Sequence, residues 1–166
     1  VYKRQRFLKQ YPNLLIVNAF TKFYAMAGLR LGYLMTGDLS LLHAVAQQLP
    51  EWNVSSIAQR AGISALQDTE YEKRTRQLIE KERRYLIQEF LKMGCTVFPS
   101  EADYITFRLP QEKTGFLLKE RLLEGKILIR SCANYRNMPP DCYRIAVKQH
   151  ADNEELVRQV WRILIQ

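Results

Sequence analysis

The chain has 166 residues, of which 47% are hydrophobic and 25% charged, and its formal net charge is +8 at pH 7. This composition is typical of a globular protein with one substantial core. No run of about 18 apolar residues occurs, so we expect no membrane-spanning helix. The densest basic stretch, residues 73–84, is interleaved with glutamates, a pattern typical of a solvated helix face rather than of a nucleic-acid-binding site.

Cysteine and histidine usage argues against a metal site. Cys95, Cys132 and Cys142 are an odd number of cysteines without metal-ligand spacing, and only two histidines accompany them. Unpaired cysteines are typical of proteins kept in a reducing compartment. We therefore expect a cytoplasmic protein with no bound metal and with neither a membrane nor a nucleic acid as partner.

The first residues of the chain are unusual. Residues 1–5 lack an initiating methionine and are similar to the translation of an adapter used in sequencing libraries. The hypothesis is that the reading frame is truncated and that these residues derive from the adapter. After them, a helix is predicted to end at Gln10, because Tyr11-Pro12-Asn13 is a turn signal.

Two short strands and a helix come next. Residues 14–17 are apolar on both faces, which predicts a strand covered on both sides. Residues 31–36 predict a second strand. Asp38 stands where it can cap a following helix, which Pro50 ends.

The loop between these strands carries chemically useful groups. Lys22 follows Thr21, and Arg30 lies eight positions later between Gly28 and Gly32. A lysine among apolar neighbours at a buried strand end loses its proton more easily and becomes a nucleophile. Glycines beside an arginine let the backbone approach a large anion, which the guanidinium can bind through two hydrogen bonds. The alternative is that Lys22 is a solvated surface charge.

A turn over residues 51–56 precedes a helix with many small side chains. Asn53, Ser55 and Ser56 are each suited to cap this helix. Small apolar residues at helical spacing allow close packing, so a place in the core is one interpretation of this region, Trp52 included.

One long helix is predicted over residues 69–93. Its apolar residues return at intervals of three, four and seven and form a single stripe. Thr69 is placed to cap it, and Gly94 ends it. Such a helix is suited to link two lobes, so residues 1–68 are predicted to form one domain and residues 94–166 a second.

Beyond this helix the chain has short strands and helices. The predicted fold class is α/β, with the end of a larger α/β domain followed by the linking helix and a small α+β domain. The final helix is predicted to be capped by Asp152 or Asn153. The other elements are strands over residues 95–98, 103–108, 126–130 and 142–147, and a helix over residues 114–124.

Arg130 and Arg144 each lie on a predicted strand that is otherwise apolar. A guanidinium there costs free energy unless an anion pairs with it. The pair therefore predicts a ligand with two anionic groups. The alternative is that each arginine pairs with a local acid or points to solvent at a strand edge.

Three segments resemble one family. Residues 21–33, Thr-Lys-Phe-Tyr-Ala-x-x-Gly-Leu-Arg-Leu-Gly-Tyr, resemble the cofactor-lysine segment of the fold-type I pyridoxal-phosphate enzymes. Within these enzymes they are most similar to the group of histidinol-phosphate aminotransferase and threonine-phosphate decarboxylase. Residues 127–135 and 143–147 are similar to the two substrate-arginine segments of that group. The resemblance extends from about Arg6 to the C-terminus and covers the back half of the family's fold.

The resemblance implies a cofactor and the residues that hold it. Lys22 would form the Schiff base with pyridoxal phosphate, and Thr21 and Arg30 would hold the cofactor phosphate. The residues that pair with the cofactor ring in the family belong to the front half of its fold.

The resemblance also implies a substrate site for an amino acid phosphate. Arg144 would bind the α-carboxylate and Arg130 the phosphate. Asn53 would contact the substrate, because the segment of Trp52 and Asn53 edges the active-site mouth in the family.

Three functions follow from the resemblance. The first is decarboxylation of L-threonine O-3-phosphate to (R)-1-aminopropan-2-yl phosphate in cobalamin biosynthesis. The second is the aminotransferase reaction on histidinol phosphate or a related one. The third is a noncatalytic fragment, since the 166 residues alone are expected to be inactive. The full-length protein is expected to be a homodimer.

Overall fold

A computed structural model describes residues 2–113, 115 and 117–165. The chain divides into two compact units, Val1–Thr69 and Glu70–Gln166, here called unit 1 and unit 2. The long helix begins at the last residue of unit 1 and otherwise belongs to unit 2. Its linking role and the predicted domain limits stay predictions, as does the adapter origin of residues 1–5, of which Val1 lies outside the described residues.

Unit 1 is built around one antiparallel strand pair. Its two strands pair in register from Leu15 opposite Thr36 to Ala19 opposite Gly32. The elements are, in chain order, α1 (Tyr2–Gln10), β1 (Leu15–Ala19), a 3-10 turn (Ala27–Leu29), β2 (Gly32–Thr36), α2 (Leu39–Gln48) and α3 (Ser56–Gln67).

The prediction that β1 is covered on both faces is wrong for this unit. Its residues are exposed except for the half-buried Ile16, and the side chain of Val17 is 70% exposed. Cover on the two faces of a strand comes from layers packed on the sheet and not from strand neighbours, and the described residues of unit 1 leave β1 mostly exposed. A continuous apolar run does not report how many layers will cover it.

Side-chain caps begin two helices of unit 1 as predicted. Asp38 accepts hydrogen bonds from the backbone N–H groups of Ser40 and Leu41, at 2.9 and 3.1 Å, and so caps α2. Of the three candidates for α3, Ser55 is the cap, since its Oγ accepts from the N–H of Ala58 at 3.2 Å. Each such cap contributes about 1 kcal/mol to the stability of its helix.

Unit 2 has a four-stranded antiparallel sheet, whose strands lie in the spatial order β3 (Thr96–Val97), β4 (Tyr104–Arg108), β6 (Cys142–Ala146) and β5 (Arg130–Ser131). Gly94, with φ of +78°, ends the long helix as predicted. The elements are, in chain order, α4 (Thr69–Lys92), β3 (Thr96–Val97), β4 (Tyr104–Arg108), a 3-10 turn (Gln111–Lys113), α5 (Leu118–Glu124), β5 (Arg130–Ser131), β6 (Cys142–Ala146) and α6 (His150–Ile165).

Two elements of unit 2 begin well after their predicted first residues. The predicted strand over residues 126–130 is reduced to its end, because the N–H groups of Lys126 and Ile127 bond back to carbonyls at the end of α5. Those two N–H groups therefore cannot form the hydrogen bonds that pair one strand with another. The predicted helix over residues 114–124 begins at Leu118, and Thr114 lies outside the described residues.

The predicted caps of α6 are also wrong. The helix begins at His150, so Asp152 and Asn153 lie inside its first turn. Asn153 is buried, accepts from the N–H of Lys148 at 3.1 Å and donates to Glu82 of α4 at 3.0 Å. The side chain of Asn153 thus binds Glu82 of α4 and does not cap its own helix.

The core of unit 2 lies between one face of the sheet and the helices α4, α5 and α6. Along β4, Ile105 and Phe107 are fully buried on this face, while Tyr104 and Thr106 lie on the opposite face. Each buried aliphatic or aromatic side chain of this kind contributes about 1.5–3 kcal/mol. Other core residues are Leu86, Phe90, Leu118, Leu122, Val157 and Val160.

In the parts of the chain that the structure describes, no helix is both long and apolar enough to cross a membrane.

Candidate functional site

The loop of residues 21–30 is closed at its base. The N–H of Phe20 donates to the carbonyl of Leu31 at 3.0 Å, which continues the pairing of β1 and β2 by one step. The ring of Phe20 is buried, stacked on Tyr24 at 5.1 Å and edge-on to Tyr33 at 6.1 Å. The predicted cofactor residues are therefore carried by one closed loop on an aromatic base.

Lys22 is exposed on this loop, and Thr21 is half-buried beside it. A turn follows at once, since the carbonyl of Lys22 accepts from the N–H of Ala25 at 3.0 Å and Ala25 has φ of 53°. The prediction that Lys22 stands among apolar neighbours at a buried strand end is wrong for unit 1. Its amine is open to a ligand in the surrounding solvent.

Arg30 has a left-handed backbone conformation, with φ of 52° and ψ of 47°. This conformation costs roughly 1–2 kcal/mol for a residue other than glycine. The side chain is exposed, and its Nη1 donates to the carbonyl of Ala27 at 3.4 Å. Strained backbone of this kind is more frequent at binding sites, where it fixes the direction of a side chain.

Gly32 is required where β2 begins. A Cβ at this position would lie 2.8 Å from the carbonyl oxygen of Asn18 on the paired strand. At Gly28 a Cβ would meet nothing within 4 Å. Of the two glycines on either side of Arg30, one is therefore fixed by strand pairing. An amine, a hydroxyl and a guanidinium on one closed loop form a donor set that fits a phosphate-bearing aldehyde.

Asn53 and Trp52 do not pack into the core of unit 1. Trp52 is 94% exposed and has φ of 57°, and Asn53 is exposed beside it. The interpretation of this turn as core packing is wrong for the described unit. A role for Asn53 at the active-site mouth stays a prediction.

Arg130 and Arg144 are brought together by the sheet of unit 2. They are direct register partners of the antiparallel strands β5 and β6, so both side chains lie on the face opposite the core. Arg130 is exposed on the edge strand, and Arg144 is half-buried on an inner strand. Among the described residues, neither forms an ion pair with a carboxylate.

Each of the two guanidinium groups has its own neighbours. Arg144 lies over the ring of Tyr104, with 4.8 Å from its guanidinium carbon to the ring centroid. Arg130 donates from Nη2 to Oδ1 of Asn134 at 3.0 Å and lies 5.7 Å from the ring centroid of Tyr135. These aromatic and amide neighbours support both cations without neutralising their charge.

Sequence reasoning did not identify Tyr104 as a neighbour of Arg144. The alternating pattern of residues 103–108 placed Tyr104 on a strand, but strand order and register bring it to Arg144. Cys132 and Cys142 are also buried at this part of the sheet. Burial raises the pKa of the Cys132 thiol, while the charges of Arg144 and Arg130 partly offset that effect.

Comparison with known proteins identifies the family. The model of the family "Aminotransferase class I and II" matches residues 1–160. The chain belongs to this family. Threonine-phosphate decarboxylase from Salmonella typhimurium is 36% identical over 158 residues, which cover 95% of this chain and 43% of that protein. Histidinol-phosphate aminotransferase from Oleidesulfovibrio alaskensis is 33% identical over 159 residues, 95% of this chain and 41% of that protein.

Solved structures agree with this membership. The crystal structure of histidinol-phosphate aminotransferase from Clostridium acetobutylicum superposes with a TM-score of 0.89 at 32% identity, covering 95% of this chain and 48% of that one. The predicted α/β fold class, the C-terminal part of a pyridoxal-phosphate-dependent transferase-like fold, is therefore confirmed. The chain spans less than half the length of these relatives.

Membership of the family also supports the predicted cofactor, pyridoxal phosphate. Lys22, Thr21 and Arg30 lie in unit 1, and Arg130 and Arg144 lie in unit 2. Each unit thus carries one group of cationic side chains from the predicted site.

Proposed function

We propose that this chain is part of a pyridoxal-phosphate-dependent carboxy-lyase that acts on L-threonine O-3-phosphate. The reaction would release carbon dioxide and form (R)-1-aminopropan-2-yl phosphate for cobalamin synthesis. The observation that carries the proposal is the Arg130–Arg144 pair, two register partners on the sheet face opposite the core, neither of which forms an ion pair with a carboxylate of the described residues. Like charges placed directly opposite each other destabilise a sheet, so the arrangement favours a ligand that supplies two anionic groups.

The cofactor residues of the proposal lie on the closed loop. Lys22 would hold pyridoxal phosphate covalently through its exposed amine, while Thr21 and Arg30 would bind its phosphate. When bound, pyridoxal phosphate withdraws electrons from the α-carbon of an amino acid. The free amine of Lys22 would accept or return a proton at that carbon.

The substrate residues would fix the ligand by both ends. Arg144 would bind the α-carboxylate and Arg130 the phosphate, each through charge-assisted hydrogen bonds. Asn53 would be a further substrate contact. Holding both ends sets which bond of the α-carbon is oriented for cleavage, and this orientation separates decarboxylation from transamination.

A second candidate is an aminotransferase that acts on histidinol phosphate. It is supported by the similarity to the Clostridium acetobutylicum enzyme at 32% identity. The decarboxylase is preferred because the Salmonella typhimurium protein shares 36% of its matched residues with this chain. The residues 130–135, Arg-Ser-Cys-Ala-Asn-Tyr, also favour that branch.

Further parts of the proposal concern the whole protein. More than half the length of the matched relatives lies outside the region shared with this chain, so we propose that the 166 residues alone are inactive. The complete protein would be a cytoplasmic homodimer. A third possibility, a noncatalytic fragment, would be supported by a gene that has no coding sequence in frame upstream of these 166 residues.

A product assay on the complete protein tests the proposal. With O-phospho-L-threonine and pyridoxal phosphate, release of carbon dioxide without a keto acid acceptor is the expected result. A keto product that requires 2-oxoglutarate, formed from histidinol phosphate, would establish the aminotransferase instead. The Arg144→Gln variant should raise KM for the amino acid phosphate far more than the Kd of the cofactor, and equal changes would make Arg144 a structural residue.

A further inference from the structure

We infer that Tyr104 is a positioning residue that holds Arg144 away from Arg130, so that the two arginines form separate subsites for the two anionic ends of one ligand. This inference rests on the proposed function and adds a residue to its substrate site. It also assigns a selectivity to the site, namely for a ligand whose anionic groups are several bonds apart over a compact anion such as inorganic phosphate.

The register of the sheet places Tyr104 close to Arg144. Tyr104 on β4 is the register partner of Ala146, and Thr106 is that of Arg144. Tyr104 is therefore the diagonal neighbour of Arg144 on the same face, within reach of a long side chain. The guanidinium lies over the Tyr104 ring at 4.8 Å, so Arg144 is directed toward β4.

Arg130 lies on the other side of Arg144 from Tyr104. It lies on β5, which borders β6 on the side opposite to β4. Its guanidinium is directed along its own segment, to Asn134 at 3.0 Å and to the Tyr135 ring at 5.7 Å. The backbones of the two arginines are thus direct register partners, but their guanidinium groups have different neighbours. That of Arg144 lies at Tyr104 on β4, and that of Arg130 lies at Asn134 and Tyr135.

The position of the Arg144 guanidinium affects which ligands the site binds. Without the Tyr104 ring, Arg144 could turn to either side, including toward an anion held by Arg130. With the ring in place, the guanidinium is pre-oriented, and a ligand loses less conformational freedom on binding it. A ligand with two separated anionic groups gains most from this arrangement, whereas inorganic phosphate can use one subsite at a time.

The experiment compares three ligands on the complete protein that contains this chain, in its cofactor-free form. Arg Nε–Hε resonances of the 15N-labelled protein are followed during titration with O-phospho-L-threonine, L-threonine or sodium phosphate. Wild type is compared with Tyr104→Leu, which removes the ring, and Tyr104→Phe, which keeps it. Tyr104→Val is a second ring-free variant with high strand propensity, and circular dichroism checks that each variant is folded.

The expected result is selective. The ring-free variants should bind O-phospho-L-threonine about two- to fivefold more weakly, the range that a cation–π contact at an exposed site provides. Their affinity for inorganic phosphate should be unchanged or higher, and Tyr104→Phe should match wild type. Equal weakening of both ligands, or a Phe variant that behaves like Leu, would overturn the inference and leave Tyr104 a structural residue.

A second pair of variants separates this inference from the proposed function. If Arg130→Gln and Arg144→Gln each weaken O-phospho-L-threonine while loss of the Tyr104 ring has no effect, the substrate site stands and the positioning role is wrong. If neither arginine variant changes the affinity for O-phospho-L-threonine, both the proposed site and the role of Tyr104 are overturned.

Discussion

Arg130 and Arg144 face each other across the antiparallel strands β5 and β6, and among the described residues no carboxylate forms an ion pair with either of them. Two cations in this relation raise the free energy of the empty fold. When an anion binds, its attraction to the two cations lowers the free energy of the complex. The pair therefore links the stability of unit 2 to the anions in solution.

Phosphate should stabilise the folded chain more than chloride at equal ionic strength. A ligand that binds the folded state at a free concentration ten times its Kd adds about 1.4 kcal/mol to the free energy of unfolding. Urea unfolding in the two salts measures this difference. The Arg130→Gln, Arg144→Gln double variant should lose most of it, and an undiminished phosphate effect in that variant would show that the anion binds elsewhere.

Unit 2 should lose stability in acid through Glu82. Burial of this carboxyl raises its pKa, but the hydrogen bonds from Asn153 and His150, each at 3.0 Å, and the charge of His150 outweigh burial and hold the pKa below its usual value. A lowered pKa means that the stabilisation is present above the unfolded value of about 4.3 and is lost as pH falls through the folded value.

Variants on the same helix test this pH dependence. Glu82→Gln should flatten the dependence of unfolding free energy on pH below about 4.3. Glu72→Gln, at an exposed ion pair with Arg76, should keep the wild-type slope, because exposed pairs contribute little. An identical acid profile in Glu82→Gln and wild type would contradict the account.

The three cysteines should resist alkylation in the folded chain. The thiolate is the reactive form, and burial raises the pKa of the Cys95 thiol to about 12. Burial also raises the pKa of Cys132 and Cys142, with nearby arginines partly opposing it. Iodoacetamide at pH 8 with mass spectrometry should label Cys95 last, and only in urea should labelling become rapid. Native labelling of Cys95 at the urea rate would refute its burial.

The two glycines near Arg30 should differ in their tolerance of alanine. Gly32→Ala would place a Cβ 2.8 Å from a backbone oxygen of the paired strand, and such overpacking costs about 1–3 kcal/mol. Gly28→Ala has open space at its Cβ and should change stability by under about 1 kcal/mol. Thermal unfolding of both variants measures the difference, and equal effects would mean that the closed loop does not depend on this strand contact.

Local signals in the sequence were reliable where one element decided the outcome. Asp38 preceded an apolar periodic segment and caps α2, and Gly94 followed a long stripe and ends α4. The alternation along β4 correctly divided buried Ile105 and Phe107 from the residues of the other face. In each case the physical cause lies within a few residues of the position concerned.

Contacts between distant segments could not be predicted in this way. Asn153 is drawn to Glu82 of another helix, so α6 begins earlier than a local cap would place it. The pairing of Arg130 with Arg144 and the contact of Tyr104 with Arg144 depend on strand order and register. A pattern of residue types along the chain carries neither of these quantities. The exposure of Val17 likewise depends on which layers pack on the faces of β1.

Covalent attachment of the cofactor to Lys22 tests the central claim most directly. The complete protein that contains this chain is incubated with pyridoxal phosphate, reduced with borohydride, digested and mapped by mass spectrometry. We predict a phosphopyridoxyl group on Lys22 and a visible absorbance before reduction that is lost in Lys22→Ala and kept in Lys9→Ala, a control at another exposed lysine of unit 1. Persistence of the absorbance in Lys22→Ala, with the label on other lysines, would contradict the account.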